Sequence, residues 1–276
     1  MRPPPLRRVE RCGAARRAAA GGKCADGGRG GSQCAMGGGA GRLALLLLLA
    51  APPAQSVQQL CLLSYCNCSP GEVVCEGGGG ETLILSSGSL PATLPALSLT
   101  NLASLTIKTD TFKHVEDLKE LTLENIGKVS LKKFFFSSVE AAGRLEQLTF
   151  ENIWLLELES RHSLAGLPRI TAASLRNISL GGPAGGELGL LADTLLVENS
   201  RLGQLGGKTV ASNADTLVFI NNNITTIKPF TFSSVTNLFN FTGNRVDRLE
   251  EDAFAISALN TEISGREKHI YCLYFT

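Results

Sequence analysis

Seven copies of one short pattern run along this chain, and no other feature constrains its fold as strongly. Leu118-x-x-Leu121-x-Leu123-x-Asn125-Ile126 aligns with Leu145-x-x-Leu148-x-Phe150-x-Asn152-Ile153. Leu94-x-x-Leu97-x-Leu99-x-Asn101-Leu102 and Ile170-x-x-Ala173-x-Leu175-x-Asn177-Ile178 obey the same rule. Later copies are Ala192-x-x-Leu195-x-Val197-x-Asn199, Ala214-x-x-Leu217-x-Phe219-x-x-Asn222 and Thr236-x-x-Phe239-x-Phe241-x-x-Asn244. Starts at 94, 118, 145, 170, 192, 214 and 236 give intervals of 22 to 27 residues. A regular interval of that size marks a solenoid of stacked coils. A position outside the alignment agrees. Eighteen residues after four of the starts stand Phe112, Phe136, Phe232 and Phe254, while the other three places hold Ser163, Leu188 and Val210. A row of phenylalanines at one offset fills the wider side of such a stack.

In L-x-L the two apolar residues point inward from one short strand and the residue between them points to solvent. One coil cannot bury its leucines alone, so coils stack and their strands pair into a parallel sheet on the concave side. The Asn after the strand is expected to turn inward and bond backbone groups of the turn that would otherwise be buried unpaired. These asparagines are read as structural. The first copies run Asn101/Leu102/Leu105/Ile107 and Asn125/Ile126/Val129/Leu131, one residue tighter than the Asn-x-apolar spacing of the last two.

The N-terminus has a different character. Residues 1–35 carry 8 Lys/Arg against 2 Asp/Glu and show no apolar period, whereas 55–276 carry 17 against 23. Between them Met36-Gly-Gly-Gly-Ala-Gly-Arg42 leads into the apolar run 43–51 and then Pro52-Pro-Ala54. A short basic segment, a nine-residue apolar core and a small-residue end form a secretory signal peptide; the run is about half the ~20 residues of a bilayer span. Translation is expected to start at Met36, with 1–35 either upstream sequence or a disordered extension, and cleavage near Ala54. Cys61, Cys66, Cys68 and Cys75 then form a cluster C-x4-C-x-C-x6-C. In a reducing compartment such a cluster suits zinc; behind a signal peptide it suits two disulfides. Asn67, Asn177, Asn223 and Asn240 each begin an N-x-Ser/Thr triplet, and the last three are the expected glycan acceptors.

With these motifs the chain resembles extracellular leucine-rich-repeat proteins, the group that includes Toll-like, Slit-like and small-proteoglycan-like ectodomains, and looks like a truncated, divergent member. The resemblance implies an α/β-type solenoid: a curved parallel sheet on the concave face, loops and short helical turns on the convex face, and a disulfide-bonded N-terminal cap. It implies the pairing Cys61–Cys68 and Cys66–Cys75. The expected organisation is 36–54 signal peptide, 55–81 cap, 82–260 repeats and 261–276 an irregular tail. Only Cys272 stands where the family often has a cysteine-rich C-terminal cap. Either the chain is truncated, so that a longer form has room for a membrane anchor, or it dimerises through the open end.

The function classes narrow quickly. The acidic balance of 55–276 argues against a nucleic-acid partner. His114, His162 and His269 lie in separate segments with no nucleophile motif, and the Gly-rich stretches lack the Lys-Ser/Thr of a phosphate cradle. Glu157 and Glu159 read as a solvated convex face. No catalytic residue, metal or cofactor is expected. Binding remains, and the strand frame places it. Outward positions carry an acidic column of Glu124, Glu151 and Glu198, interrupted by Arg176, and an apolar patch of Leu196, Val218, Ile220 and Leu238. The expectation is a secreted or cell-surface module that binds an extracellular protein on this patch, with a structural or accessory subunit for a secreted partner as the alternative.

Overall fold

Alternation of apolar and polar residues at a fixed interval dictates short strands that repeat in register, and the computed structural model shows where they go. It describes residues 59–136, 145–160, 162–165, 167, 169–181, 190–206 and 214–265. The chain forms a β-solenoid of about seven turns. Each turn contributes to one parallel ladder through β2 (Glu72–Glu76), β4 (Ala96–Thr100), β6 (Glu120–Leu131), β7 (Gln147–Leu158), β8 (Ile170–Gly181), β9 (Ala192–Glu198), β11 (Thr216–Ile220), β13 (Phe232–Leu249) and β14 (Phe254–Gly265). Past a corner, the coils pair again through β3 (Thr82–Leu85), β5 (Ser104–Ile107), the later halves of β6, β7 and β8, then β10 (Arg201–Leu205), β12 (Asn223–Ile227) and the end of β13.

Register turns the repeat into columns. Leu97, Leu121, Leu148, Ala173, Leu195, Leu217 and Phe239 are successive partners, and all are buried. Leu99, Leu123, Phe150, Leu175, Val197, Phe219 and Phe241 form a second buried column. The L-x-L frame is therefore the inward frame. At the N-terminal end β1 (Cys66–Ser69) and β2 make an antiparallel hairpin in which Cys66 faces Cys75. Disulfides join Cys61 to Cys68 and Cys66 to Cys75. Val73 pairs with Leu97 and Cys75 with Leu99, so the hairpin extends both apolar columns by one coil.

The asparagines depart from expectation. Asn101, Asn125, Asn152, Asn177, Asn199 and Asn221 have φ between 50° and 55°, and Gly243 completes the column at 68°. Left-handed backbone makes the corner, and Asn tolerates it better than any residue but Gly. After that rotation the next residue, not the Asn, points inward: Leu102, Ile126, Ile153 and Ile178 are buried. Asn125 and Asn177 are exposed, with Asn152 Nδ2 donating to Asn125 Oδ1 at 3.0 Å and Asn177 Nδ2 to Asn152 Oδ1 at 2.8 Å. Here β6, β7 and β8 continue through the corner, pairing Ile126 with Ile153 and Ile153 with Ile178.

In the later coils the inward corner residue becomes polar, whether the strand breaks there, as between β9 and β10 and between β11 and β12, or runs on, as β13 does. The Ser200 amide donates to Asn222 Oδ1 at 2.9 Å, and the Asn222 amide to Asn244 Oδ1 at 2.9 Å. Asn222 Nδ2 donates to Val197 O and Asn244 Nδ2 to Phe219 O. Only in these last coils does an asparagine turn inward as the sequence reading supposed.

On the far side Phe112 stacks on Phe136 at 4.3 Å and Phe232 on Phe254 at 5.0 Å, all four buried. Ser163 is also buried and donates to Leu131 O; Leu188 and Val210 lie outside the described residues. Helical turns are a correction. Among the described residues this side has one four-residue α-helical turn, His162–Ala165, and closes instead on left-handed Asp110, Phe134, Phe230 and Asp252, each two residues before a stacked phenylalanine. A coil that already holds two strands leaves few residues for a helix. The strand register reaches Gly265, five residues past the expected end of the repeats. The expected signal peptide, the Met36 start and the tail beyond 265 lie outside the described residues.

Opening the Cys66–Cys75 bridge with paired alanines is expected to cost about 2–5 kcal/mol, and an unchanged melting temperature would contradict its role as a staple. Asn222→Ala removes an acceptor and two donations from a buried network, so urea unfolding should show a loss of about 2–4 kcal/mol. Asn125→Gly keeps the left-handed corner and should cost less than about 1 kcal/mol. Equal losses from the two variants would contradict the division into inward and outward asparagines.

Candidate functional site

Residues between the buried positions of the first ladder face away from the core, and strand pairing sets their order. One outward column runs Ser98, Thr122, Thr149, Ser174, Leu196, Val218, Asn240 and Glu262. Its neighbour runs Thr100, Glu124, Glu151, Arg176, Glu198, Ile220 and Thr242. A third holds Thr194, Thr216 and Leu238. The structure thus brings Leu196 and Val218 into direct register, sets Ile220 on the same strand as Val218, and places Leu238 one strand on.

These four side chains face outward but are half-buried. Neighbouring strands lie ~4.8 Å apart, so each side chain shields the flanks of the next. Two polar atoms bracket the pair. Ser174 Oγ, beside Leu196, and Asn240 Oδ1, beside Val218, are buried side-chain oxygens without a hydrogen-bond partner. Buried polar atoms are nearly always satisfied, so two exceptions in one column single it out.

The charged column is less uniform than its sequence suggests. Glu124 and Glu151 are register partners, but Arg176 sits between Glu151 and Glu198, with its Nε 3.7 Å from Glu198 Oε2. Two carboxylates therefore adjoin each other and the third is half-neutralised. Glu157 lies in the second ladder and Glu159 just past the end of β7, and they pair with Lys128 at 2.9 Å and Lys132 at 3.5 Å. The Lys133 amide, donating to Glu159, and the nearby Lys132 charge hold the Glu159 carboxyl below its usual range. These are ion pairs between coils. Among the described residues no group of three His, Cys, Asp or Glu is placed to hold a metal, and no helix is long and apolar enough to cross a membrane.

The glycan-acceptor residues lie in different settings. Asn240 is mid-strand in the outward column, and its Nδ2 donates to Glu262 Oε2 at 2.9 Å. Asn223 opens β12, exposed and in register between Arg201 and Arg245. Asn177 stands at the corner between the ladders. Near it is the surface feature that sequence reasoning missed. Trp154 is 81% exposed, on the wall of a groove of about 560 Å³ that it shares with Asn152, Asn177, Ser179 and Arg201. The available signal was its uniqueness: it is the one tryptophan of the chain, two residues past a corner asparagine, where the second strand starts outward.

No family model, no curated protein and no solved structure matches the chain.

Proposed function

We propose that this is a leucine-rich-repeat recognition module, secreted or displayed at the cell surface, that binds an extracellular protein on the concave face of its first ladder and carries out no chemistry. What carries the reading is the composition of one column. An apolar pair, Leu196 and Val218, is bracketed by two oxygens with no internal partner, Ser174 Oγ and Asn240 Oδ1. An apolar centre supplies affinity when water is removed from it, and unspent hydrogen-bonding groups at its rim supply specificity. Ile220 and Leu238 widen the apolar area on adjacent strands. Disulfides near the N-terminus and the absence of a membrane-crossing helix among the described residues are compatible with an extracellular setting.

Glu124 and Glu151, lying side by side, favour a ligand with a basic rim. Exposed charges of this kind raise the association rate more than the affinity, and salt weakens them. Arg176 limits the effect to the end of the column before β8.

Val218→Asp tests the reading. The side chain faces away from the core, so folding should be retained. Binding to a partner captured from extracellular fluid should weaken by more than about 2 kcal/mol. Normal binding by a folded variant would make the patch incidental, and a partner that copurifies in fixed stoichiometry, without reversible exchange, would favour an accessory subunit instead.

A further inference from the structure

We infer that the Trp154 groove is the seat of the chain's own N-linked glycan, carried by Asn177, whose first sugar packs on the indole face. The inference rests on the secreted reading above, because the modification needs the secretory route. Its starting point is an unpaid cost: an indole 81% exposed leaves a large apolar surface in water. Nothing in the repeat demands an aromatic there. In the neighbouring coils the corresponding outward positions hold Ser179 and Arg201.

Asn177-Ile178-Ser179 is an acceptor triplet on the adjacent strand. Ile153 and Ile178 are register partners, so Trp154 lies one residue beyond that pair and Asn177 one residue before it, across a strand spacing of ~4.8 Å. Both line the same groove, whose volume of about 560 Å³ is that of a small-ligand site. A pyranose presents one face of C–H groups, which suits the electron-rich face of an indole. Its hydroxyls and acetamide need polar partners, and Asn152, Ser179 and Arg201 stand around the ring.

The acceptor atom is compatible with the folded geometry. Asn177 Nδ2 carries two hydrogens, and its bond to Asn152 Oδ1 at 2.8 Å uses one. In the transfer, Nδ2 attacks the anomeric carbon of a polyprenyl-pyrophosphate oligosaccharide. The N–C bond forms, the C–O bond to pyrophosphate breaks, one proton leaves Nδ2, and the polyprenyl pyrophosphate departs. The remaining N–H keeps its bond to Asn152. The other two expected acceptors lack this setting: Asn240 is held by Glu262 inside the sheet, and Asn223 lies between two arginines.

Because Trp154 is the single tryptophan, its fluorescence reports on the groove alone. The full chain is expressed in animal cells, recovered from the medium, and analysed by glycopeptide mass spectrometry and acrylamide quenching. Asn177 should be occupied. Stripping the whole glycan with an amidase should raise the quenching constant about two-fold, since one ring face is uncovered. Ser179→Ala, which blocks attachment but keeps the corner asparagine, should match the stripped protein. An endoglycosidase that leaves the first N-acetylglucosamine should change little. A bare Asn177 beside an occupied Asn223 or Asn240 would overturn the inference while sparing the secreted reading, as would quenching indifferent to the glycan. A chain that stays inside the cells and carries no glycan at any triplet would overturn both.

Discussion

Everything in this solenoid depends on lateral hydrogen bonding between coils held in one register. A single coil has no interior: its leucines meet other apolar residues only when the next coil lies on it at the same phase. Parallel pairing fixes that phase residue by residue, Leu97 to Leu121 to Leu148 and onward. A slip by one position would move every buried side chain to the solvent face. Register thus settles both what the core contains and which residues the outer face displays, and the apolar pair Leu196 and Val218 is a by-product of the same pairing.

The N-terminal hairpin solves the end problem by the same rule. Val73 and Cys75 occupy the two inward positions, so the first coil of leucines meets a strand rather than water. Its disulfides hold a short antiparallel hairpin that on its own would be marginal. The staple and the first strand are one element.

Much of this was legible in the residues, for physical reasons that also mark where legibility ended. Period two assigned Leu97 and Leu99 inward and Ser98 outward, because side-chain alternation leaves no other choice in a strand. The offset of Phe112, Phe136, Phe232 and Phe254 showed a stacked row because identical coils superpose identical positions. The direction of the asparagines was not legible. Asn125-Ile126 and Asn221-Asn222 differ by one residue in spacing, but which member faces inward depends on a left-handed φ at the first, a backbone property no composition displays. Helical turns came from the family resemblance and not from these residues, and the second ladder takes up the chain they would need. Half-burial of Leu196 and Val218 depends on neighbours across strands. Trp154, a single exposed ring, belongs to no period at all.

Ser200 carries a consequence for how such a chain can lengthen. Its Oγ accepts from the Ile178 amide and donates to Glu198 O, while its own amide donates to Asn222 Oδ1. It is a coupling with one kind of end toward the apolar corners and another toward the polar ones. Duplicating a coil with an Ile126-type corner before it, or an Asn222-type corner after it, joins like to like. Shuffling the two kinds would set an isoleucine against an amide that expects an oxygen, so growth by gene duplication is confined to either side of one serine.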